Sequence, residues 1–231
     1  FMDYLLLNAV GAGYKSIYII TGENSELFRS LYQNNAQFSE LHIHFATQYI
    51  PKDRDKPFGT ADAVYQCMVQ FPALKELNFS VCNSDNLYSI AALKAIRTVK
   101  SNNTCIAYEI DHLDYPKERI SRFAVIKFDD EFRLQGIIEK PEADKINQYV
   151  DVEGKIRVSM NLFSFSGKVF FNQLEKCPVH PIRNEKELPT AIMNMINETA
   201  PMLGIPFAEH VPDLTSKEDI LKLEEYIAKH F

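Results

Sequence analysis

The sequence has few cysteines, no long apolar run and no targeting segment at its start. Its four cysteines, Cys67, Cys82, Cys105 and Cys177, form no CxxC pair and have no histidines at zinc-ligand spacing, so we interpret them as reduced core residues. Apolar runs fall far short of the roughly 20 residues that a membrane span needs. No basic segment followed by an apolar one opens the chain. We therefore expect a cytoplasmic protein without a membrane partner.

Positive charge is also scarce. The formal net charge is −6, so no global positive field favours a nucleic-acid backbone, and we expect no nucleic-acid partner. The six histidines show no pairing at metal-ligand spacing, and the sequence has neither a Ser/His/Asp elbow nor a Walker-type loop. Any phosphate group must therefore be held by a local arrangement of residues.

The chain does have the composition of an ordinary folded domain. Apolar residues make up 46% of it, charged residues 24% and aromatic residues 12%, close to the mix of an average soluble globular protein. Its 231 residues are enough to bury a sizeable core. We predict a single domain over residues 1–231.

Helical and strand patterns alternate along the first half of the chain. The predicted helices span residues 2–10, 60–71 and 89–100, with another that begins at Asn24 or Ser25 and buries Leu27, Phe28, Leu31 and Tyr32. The predicted strands span residues 16–21, 42–48, 79–82 and 104–110. This βαβ spacing favours a mainly parallel sheet with helices on both faces.

The second half of the chain has a different pattern. A hairpin over residues 123–128 and 133–139 and a strand over 156–165 indicate a small antiparallel annex. Helices follow over 168–176 and 187–199, and a last helix begins at Thr215 or Ser216, with capping-box spacing to Glu218 or Asp219. The predicted fold class is α/β, with a Rossmann-like, mainly parallel mixed sheet, helices on both faces and this antiparallel annex.

Residues 56–64 combine a loop, a glycine and the start of a helix. The free N–H groups at the start of this helix, near Gly59 and Thr60, favour an anion such as a nucleotide phosphate. The alternative is an ordinary junction in which Gly59 turns the chain and Thr60 caps the helix. On spacing alone, the ordinary junction is the preferred interpretation.

Three other segments carry groups that bind cations or phosphates. Asp85 follows an apolar strand, at the edge where open α/β sheets place ligands, and its carboxylate suits a hard divalent ion. Lys140 offers a point charge for a phosphate beside Glu139, an acceptor for sugar hydroxyls. Asp213, just before the last predicted helix, is a further candidate metal ligand. Each has a structural alternative: an Asx turn or cap for Asp85, a surface ion pair for Glu139 and Lys140, and a helix cap for Asp213.

Taken in order, these segments resemble the sugar-1-phosphate nucleotidylyltransferases, the NDP-sugar pyrophosphorylases with a GT-A-like fold, over nearly the whole chain. Residues 59–64, Gly-Thr-Ala-Asp-Ala-Val, resemble the nucleotide-contacting segment in the form seen in ADP-glucose pyrophosphorylases. The resemblance implies that Gly59 and Thr60 bind the nucleotide. Gln48 sits where such enzymes carry a glutamine that contacts the base.

The resemblance also implies a metal site and a sugar-phosphate site. Residues 83–86, Asn-Ser-Asp-Asn, resemble a Gly-Asp motif whose aspartate binds magnesium, with serine in place of glycine; Asp213 falls where the family has its second such aspartate, in an altered context. In Glu-Lys-Pro at residues 139–141, the glutamate would contact the sugar and the lysine its phosphate. Ser159 and Asn161 lie in a segment that resembles the sugar-pocket lining, with Asn161 where glycine is common.

One feature of the family is missing from the sequence. The family begins with a strand and a Gly-rich loop, Gly-x-Gly-Thr-Arg, followed by Pro-Lys, and the sequence contains neither. Residue 1 falls inside the family's first helix after this signature, so we expect that roughly thirty residues before it are truncated, disordered or left out. A degenerate, inactive paralogue is the alternative.

The resemblance implies Mg²⁺-dependent transfer of a nucleotidyl group from a nucleoside triphosphate to a sugar-1-phosphate, giving an NDP-sugar and pyrophosphate. Asp85 and Lys140 would be catalytic, and Asp85 and Asp213 would hold the Mg²⁺. The partners would be the two substrates, and a homo-oligomer is left open. Three alternatives are kept: a regulatory paralogue that binds an NDP-sugar without turnover, a phosphocholine cytidylyltransferase and a GT-A glycosyltransferase.

Overall fold

The computed structural model describes residues 1–142, 145–217 and 219–230. Its helices are α1 (Met2–Gly11), α2 (Glu26–Tyr32), α3 (Thr60–Gln70), α4 (Ile90–Thr98), α5 (Lys117–Ile120), α6 (Gly167–Glu175), α7 (Leu188–Glu198) and α8 (Asp219–His230). Its strands are β1 (Ser16–Thr21), β2 (His42–Thr47), β3 (Asn78–Cys82), β4 (Thr104–Glu109), β5 (Ala124–Phe128), β6 (Leu134–Ile138), β7 (Arg157–Ser159), β8 (Leu162–Ser166) and β9 (Leu203–Phe207). Most predicted elements are confirmed to within two residues.

The chain divides into two compact units. The first unit consists of Phe1–Gly13, Ser80–Ser164 and Met202–Phe231, and the second unit of Tyr14–Phe79 and Phe165–Pro201. The prediction of one domain over residues 1–231 stays a prediction.

The larger sheet is organised around β4. The strand order is β3-β8-β4-β7-β5-β6, and β9 pairs with β4 in parallel over Thr104–Tyr108. Along the other edge of β4, β8 pairs antiparallel with its first residues and β7 with its last. The single strand predicted over residues 156–165 is thus two strands, separated by Met160 and Asn161, that continue each other along β4.

Two features of the predicted sheet are wrong. Antiparallel pairing is not confined to an annex, because β7 and β8 lie directly against the central strand β4. The strands β1 and β2 form a separate two-stranded parallel sheet in the second unit, in register from Ser16 opposite His42 to Thr21 opposite Thr47. A strand's alternation of side chains is the same in parallel and antiparallel sheets, so the sequence pattern does not determine strand direction.

Strand β9 was not predicted because Gly204 and Pro206 are weak strand formers. The absence of a Cβ at Gly204 lets the ring of Phe128 approach the strand, since a Cβ there would lie 2.4 Å from that ring. The glycine therefore serves a close packing contact inside a strand.

The predicted burial of α2 is also wrong. Only Tyr32 of its predicted stripe is buried, where it packs against Phe38 with ring centroids 5.9 Å apart. Leu27, Phe28 and Leu31 are exposed. The helix has seven residues, and its buried contact is made by its last turn alone. Cys82, expected in the core, is exposed, whereas Cys67, Cys105 and Cys177 are buried.

Each unit has its own apolar core. Fully buried side chains of the first unit include Tyr88, Ile106, Tyr108, Ile126 and Phe163. In the second unit the rings of Phe165 and Phe170 are stacked with centroids 3.7 Å apart. Among the residues that the structure describes, no helix is both long enough and apolar enough to cross a membrane.

We expect Gly167→Ala to destabilise the second unit. Gly167 begins α6, and a Cβ there would lie 2.0 Å from the carbonyl oxygen of Leu74, which is backbone and cannot turn aside. The free energy of unfolding, measured by urea denaturation, should fall by about 3 kcal/mol.

Gly22→Ala is the matched control, since nothing lies within 4 Å of its added Cβ. That change should alter the free energy of unfolding by less than about 1 kcal/mol. Equal effects of the two substitutions would contradict the packing described at Gly167.

Candidate active site

In the first unit, Asp85 and Asp213 lie on two segments that pair through their backbones. The N–H of Leu214 donates to the carbonyl oxygen of Asp85 over 2.8 Å. The N–H of Leu87 donates to the carbonyl oxygen of Pro212, also over 2.8 Å. The residue that follows Asp85 forms an antiparallel bridge with Asp213. Two aspartates separated by 128 positions in the sequence are thereby neighbours in space.

The electrostatics of this pair suit a cation. Desolvation raises the pKa of Asp85 and the charge of Asp213 adds to this effect, although hydrogen bonds from its own backbone and from Asn83 oppose it. A raised pKa means that the surroundings disfavour the ionised carboxylate. A divalent cation held between the two carboxylates would offset that cost.

The donor set also fits Mg²⁺. Mg²⁺ is commonly bound through one or two carboxylates, with waters and substrate phosphates as the remaining ligands. Across residues 1–142, 145–217 and 219–230, no group of three or more His, Cys, Asp or Glu side chains could hold a metal ion. The ligands beyond Asp85 and Asp213 would therefore come from substrate and water.

The helix-cap alternatives considered for these aspartates are filled by other residues. The side chain of Ser89 caps α4, accepting from the N–H of Ala92 over 3.0 Å. At the start of α8, Asp219 accepts from the N–H of Ser216 over 2.8 Å. This is one half of the predicted capping box; the Ser216 hydroxyl donates to the Asp219 carboxylate instead of accepting from a helix N–H. The other candidate, Glu218, lies outside the described residues. Neither Asp85 nor Asp213 is therefore needed as a helix cap.

Asp213 has two partners of its own. Its Oδ2 lies 2.9 Å from Nη2 of Arg119, and its Oδ1 accepts from the hydroxyl of Thr215 over 2.6 Å. Sequence reasoning missed Arg119, because no local spacing connects residues 94 positions apart.

Tyr88 connects the segment after β3 with the segment between β7 and β8. Its hydroxyl donates to the carbonyl oxygen of Met160 over 2.6 Å and accepts from the N–H of Asn83 over 3.3 Å. It also lies 3.3 Å from the carbonyl oxygen of Asn161. Burial raises the pKa of Tyr88 well above its ordinary value, so the hydroxyl remains a donor. Sequence reasoning missed this residue, whose apolar surroundings mark it only as core.

Ser159 and Asn161 adopt a compact local turn. The N–H of Asn161 donates to Oγ of Ser159 over 3.2 Å. Asn161 has a φ of 56°, in the left-handed region that glycine and asparagine tolerate best. This conformation explains why asparagine can stand where glycine is common. Ser84 replaces the other glycine, and its φ is not positive, so the backbone there accepts a side chain.

Glu139 and Lys140 follow β6 directly and are exposed. Lys140 has a φ of 46°, although it carries a Cβ and precedes Pro141. Residues before proline favour extended backbone, so this conformation is strained. The ammonium group of Lys140 is accessible to an anionic ligand.

In the second unit, Gly59 cannot be replaced without rearrangement. Its φ is 103°, and an added Cβ would lie 2.4 Å from the carbonyl oxygen of Lys186. The N–H of Lys186 donates to the carbonyl of Phe58 over 2.7 Å. The carbonyl of Lys186 accepts from the N–H of Ala61 over 3.0 Å. This pairing uses one of the N–H groups that we expected to be free at the start of α3.

Thr60 and Gln48 are partly engaged within the same unit. Gly59, rather than Thr60, is the N-cap of α3, so the prediction of a Thr60 cap is wrong. The hydroxyl oxygen of Thr60 accepts instead from the N–H of Leu188, the first residue of α7, over 2.9 Å. Nε2 of Gln48 donates to the carbonyl of Gly59 and to Asp62, each over 2.9 Å. The three residues predicted to bind the nucleotide therefore cluster, with only part of their hydrogen-bonding capacity left for a ligand.

We expect Tyr88→Phe to destabilise the first unit without creating a cavity. The substitution removes only a hydroxyl, leaving the carbonyl of Met160 and the N–H of Asn83 short of a partner. The free energy of unfolding should fall by about 1–3 kcal/mol in urea denaturation.

Tyr108→Phe is the matched control. Tyr108 is also fully buried, but its hydroxyl has no hydrogen-bond partner in the described part of the chain. Removing the Tyr108 hydroxyl should leave the free energy of unfolding equal to that of the unaltered protein or higher. If Tyr108→Phe lowers the free energy of unfolding as much as Tyr88→Phe does, burial of the tyrosine alone explains the effect, and the hydrogen bond to Met160 does not.

Comparisons with known proteins agree on one family. A family model described as nucleotidyl transferase matches residues 1–229. A glucose-1-phosphate adenylyltransferase of Trichlorobacter lovleyi is 27% identical over 147 residues, which are 61% of this chain and 35% of that protein. The enzyme of the same name from Clostridium novyi is 27% identical over 111 residues, 48% of this chain and 26% of that protein. The chain thus spans about a third or less of these relatives.

The fold is also found in a solved structure. A crystal structure of UDP-glucose pyrophosphorylase complexed with UDP-glucose matches 100% of this chain and 87% of its own, with a TM-score of 0.74 and 15% identity. At that identity the likeness concerns the fold, and it confirms the predicted α/β class. Because the family model covers nearly the whole sequence, the resemblance read from the motifs is confirmed as well: the chain belongs to the nucleotidyl transferase family.

Proposed function

We propose that this chain carries out nucleotidyl transfer from a nucleoside triphosphate to a sugar-1-phosphate. An oxygen of the sugar phosphate attacks the α-phosphorus, a new P–O bond forms, and the bond to the leaving pyrophosphate breaks. The products are an NDP-sugar and pyrophosphate. Family membership supports the reaction class, and the relatives named above act on substrates of this kind.

The observation that carries the proposal is the backbone pairing that places Asp85 beside Asp213. Desolvation and the charge of Asp213 disfavour the ionised carboxylate of Asp85, and a cation there would offset that cost, as the Arg119 guanidinium does at Asp213. The reaction joins two polyanionic substrates, which require a concentrated positive charge between them. A paired-carboxylate site for Mg²⁺ meets that requirement.

The chain's own residues act mainly by positioning. When bound, Mg²⁺ would offset the charge on the transferring phosphate. Asp85 and Asp213 would hold the ion, and Lys140 would bind the sugar phosphate through its exposed ammonium group. Glu139, Ser159 and Asn161 would contact the sugar. Positioning and charge neutralisation account for most of the acceleration in such transfers.

The nucleotide would meet Gln48, Gly59 and Thr60. Because both hydrogens of the Gln48 amide are used by Gly59 and Asp62, its carbonyl oxygen is left to accept from a donor on the base. The hydroxyl of Thr60 accepts from Leu188 and keeps its own hydrogen to donate.

A second candidate function is binding of an NDP-sugar without turnover. The engagement of Gln48, Thr60 and Asp213 within the fold favours it, because each group has less capacity left for a ligand than a free side chain has. A regulatory subunit would need to hold its ligand but not to stabilise the charge of a leaving pyrophosphate.

Pyrophosphate release is the measurement that separates these functions. The protein with Mg²⁺ should release pyrophosphate with one pairing of a nucleoside triphosphate and a sugar-1-phosphate, in a panel that also includes phosphocholine. Asp85→Asn should abolish release, because an amide cannot supply the carboxylate's charge. Asp130→Asn, the same change at an exposed turn, should leave the rate unchanged.

Other outcomes select other functions. Release with phosphocholine alone would identify a cytidylyltransferase, and binding of an NDP-sugar without release would favour the regulatory function. Full activity of the Asp85→Asn protein would remove Asp85 from the metal site.

We expect Lys140→Ala to raise KM for the sugar-1-phosphate about tenfold or more with a smaller change in kcat, since a phosphate contact of about 1.5–3 kcal/mol is lost. Lys140→Gly is the matched variant, because glycine removes the same ammonium group and relieves the positive φ. The two proteins should show the same KM. A KM restored by glycine but not by alanine would assign the effect to the backbone instead.

A further inference from the structure

Arg119 lies between two carboxylates of the first unit. Its Nη2 is 2.9 Å from Oδ2 of Asp213 and 3.2 Å from the carbonyl oxygen of the same residue. Its other nitrogen, Nη1, donates to Asp219. All three side chains are largely shielded, with exposed fractions of 21% for Arg119, 11% for Asp213 and 9% for Asp219. The guanidinium is therefore a fixed positive charge next to a predicted metal ligand.

Two side chains, those of Asp219 and Tyr115, contact Arg119 independently of Asp213. Its guanidinium lies over the ring of Tyr115, 4.6 Å from the centroid, and the Tyr115 hydroxyl donates to the carbonyl of Val211 over 2.5 Å. An arginine guanidinium is always protonated in proteins, so these contacts hold a permanent positive charge in place.

Asp219 partly neutralises the positive charge of Arg119. Arg119 lowers the pKa of Asp219 to about 2, so that this carboxylate remains ionised. The same carboxylate accepts from the N–H groups of Thr215 and Ser216 at the start of α8. Arg119 is thus shared between Asp219, which is engaged at the helix start, and Asp213, whose segment pairs with that of Asp85.

We propose that Arg119 is a tethered counter-ion that competes with a divalent cation for Asp213 and so sets the cation affinity of the Asp85–Asp213 pair. The inference rests on the proposed metal site. A dication bound to Asp213 must share that carboxylate with a guanidinium 2.9 Å away and is repelled by its charge. The role of Asp219 is to draw part of the guanidinium's charge away from Asp213, which moderates the competition.

The test is the binding of Mn²⁺, a divalent probe, by titration calorimetry at fixed ionic strength, with no substrate present. Arg119→Gln keeps a donor for Asp213 but removes the charge, and it should tighten Mn²⁺ binding about tenfold. Asp219→Asn leaves the guanidinium with Asp213 as its only carboxylate partner among those described, and it should weaken Mn²⁺ binding several-fold. The two substitutions are expected to act in opposite directions.

Three controls fix the interpretation. Arg133→Gln removes a positive charge from an exposed arginine paired with Glu131, and should leave the affinity unchanged. Asp85→Asn should abolish the binding, which places the probe at the proposed site. Arg119→Lys keeps the charge and should bind Mn²⁺ as the unaltered protein does. Thermal unfolding of each variant shows whether it folds.

The proposal is overturned if Arg119→Gln folds and binds Mn²⁺ no more tightly than the unaltered protein, or if neither protein binds the ion. If Arg119→Gln does not fold, an unchanged or tighter affinity in Asp219→Asn overturns it, and a weaker one supports it. Failure of the proposed function looks different: the Mn²⁺ affinities shift as expected, but no pyrophosphate is released from any substrate pair.

Discussion

The candidate site depends on a short piece of backbone pairing between the segment after β3 and the segment before α8. Two hydrogen bonds of 2.8 Å, from Leu214 to Asp85 and from Leu87 to Pro212, bring the backbones of Asp85 and Asp213 next to each other. Backbone hydrogen bonds are largely independent of side-chain identity, so this geometry tolerates the altered residues around Asp213. The pairing thus explains how a departure from the family's usual sequence is compatible with the arrangement that the proposed function needs.

Tyr88 extends this arrangement to the segment between β7 and β8. Its buried hydroxyl joins Asn83, close to Asp85, with Met160, close to Asn161. The break between β7 and β8 makes the contact available, because Met160 and Asn161 lie outside both strands and their carbonyl oxygens lie within hydrogen-bond distance of the Tyr88 hydroxyl. An irregularity in a strand therefore supplies the link between a predicted metal-binding segment and a predicted sugar-binding segment.

The sequence was a good guide to local structure and a poor one to pairing. Helix α3 and strand β1 follow from apolar periodicity and turn residues, which act over a few positions. Strand β9 was missed because a glycine usually indicates the end of a strand, whereas Gly204 lies inside one and makes room for the ring of Phe128. The role of Thr60 was missed for a similar reason, since its partner Leu188 is 128 positions away. Interactions between distant segments are set by tertiary packing, which periodicity does not record.

Some residues of the candidate site can be recognised from the sequence, and others only from their contacts in the structure. Asp85, Asp213, Lys140 and Gly59 stand out because their residue types are costly or unusual at their positions, and a single sequence reveals that cost. The residue types of Arg119 and Tyr88 are not unusual at their positions. Each nevertheless contacts a segment that carries a predicted metal-binding or sugar-binding residue. A carboxylate's affinity for a cation depends on every charge nearby, so a motif can identify the ligand while the strength of binding is decided by a residue outside the motif. At Asp213 we propose that this residue is Arg119, which Tyr115 and Asp219, two residues outside the proposed metal site, help to hold in place.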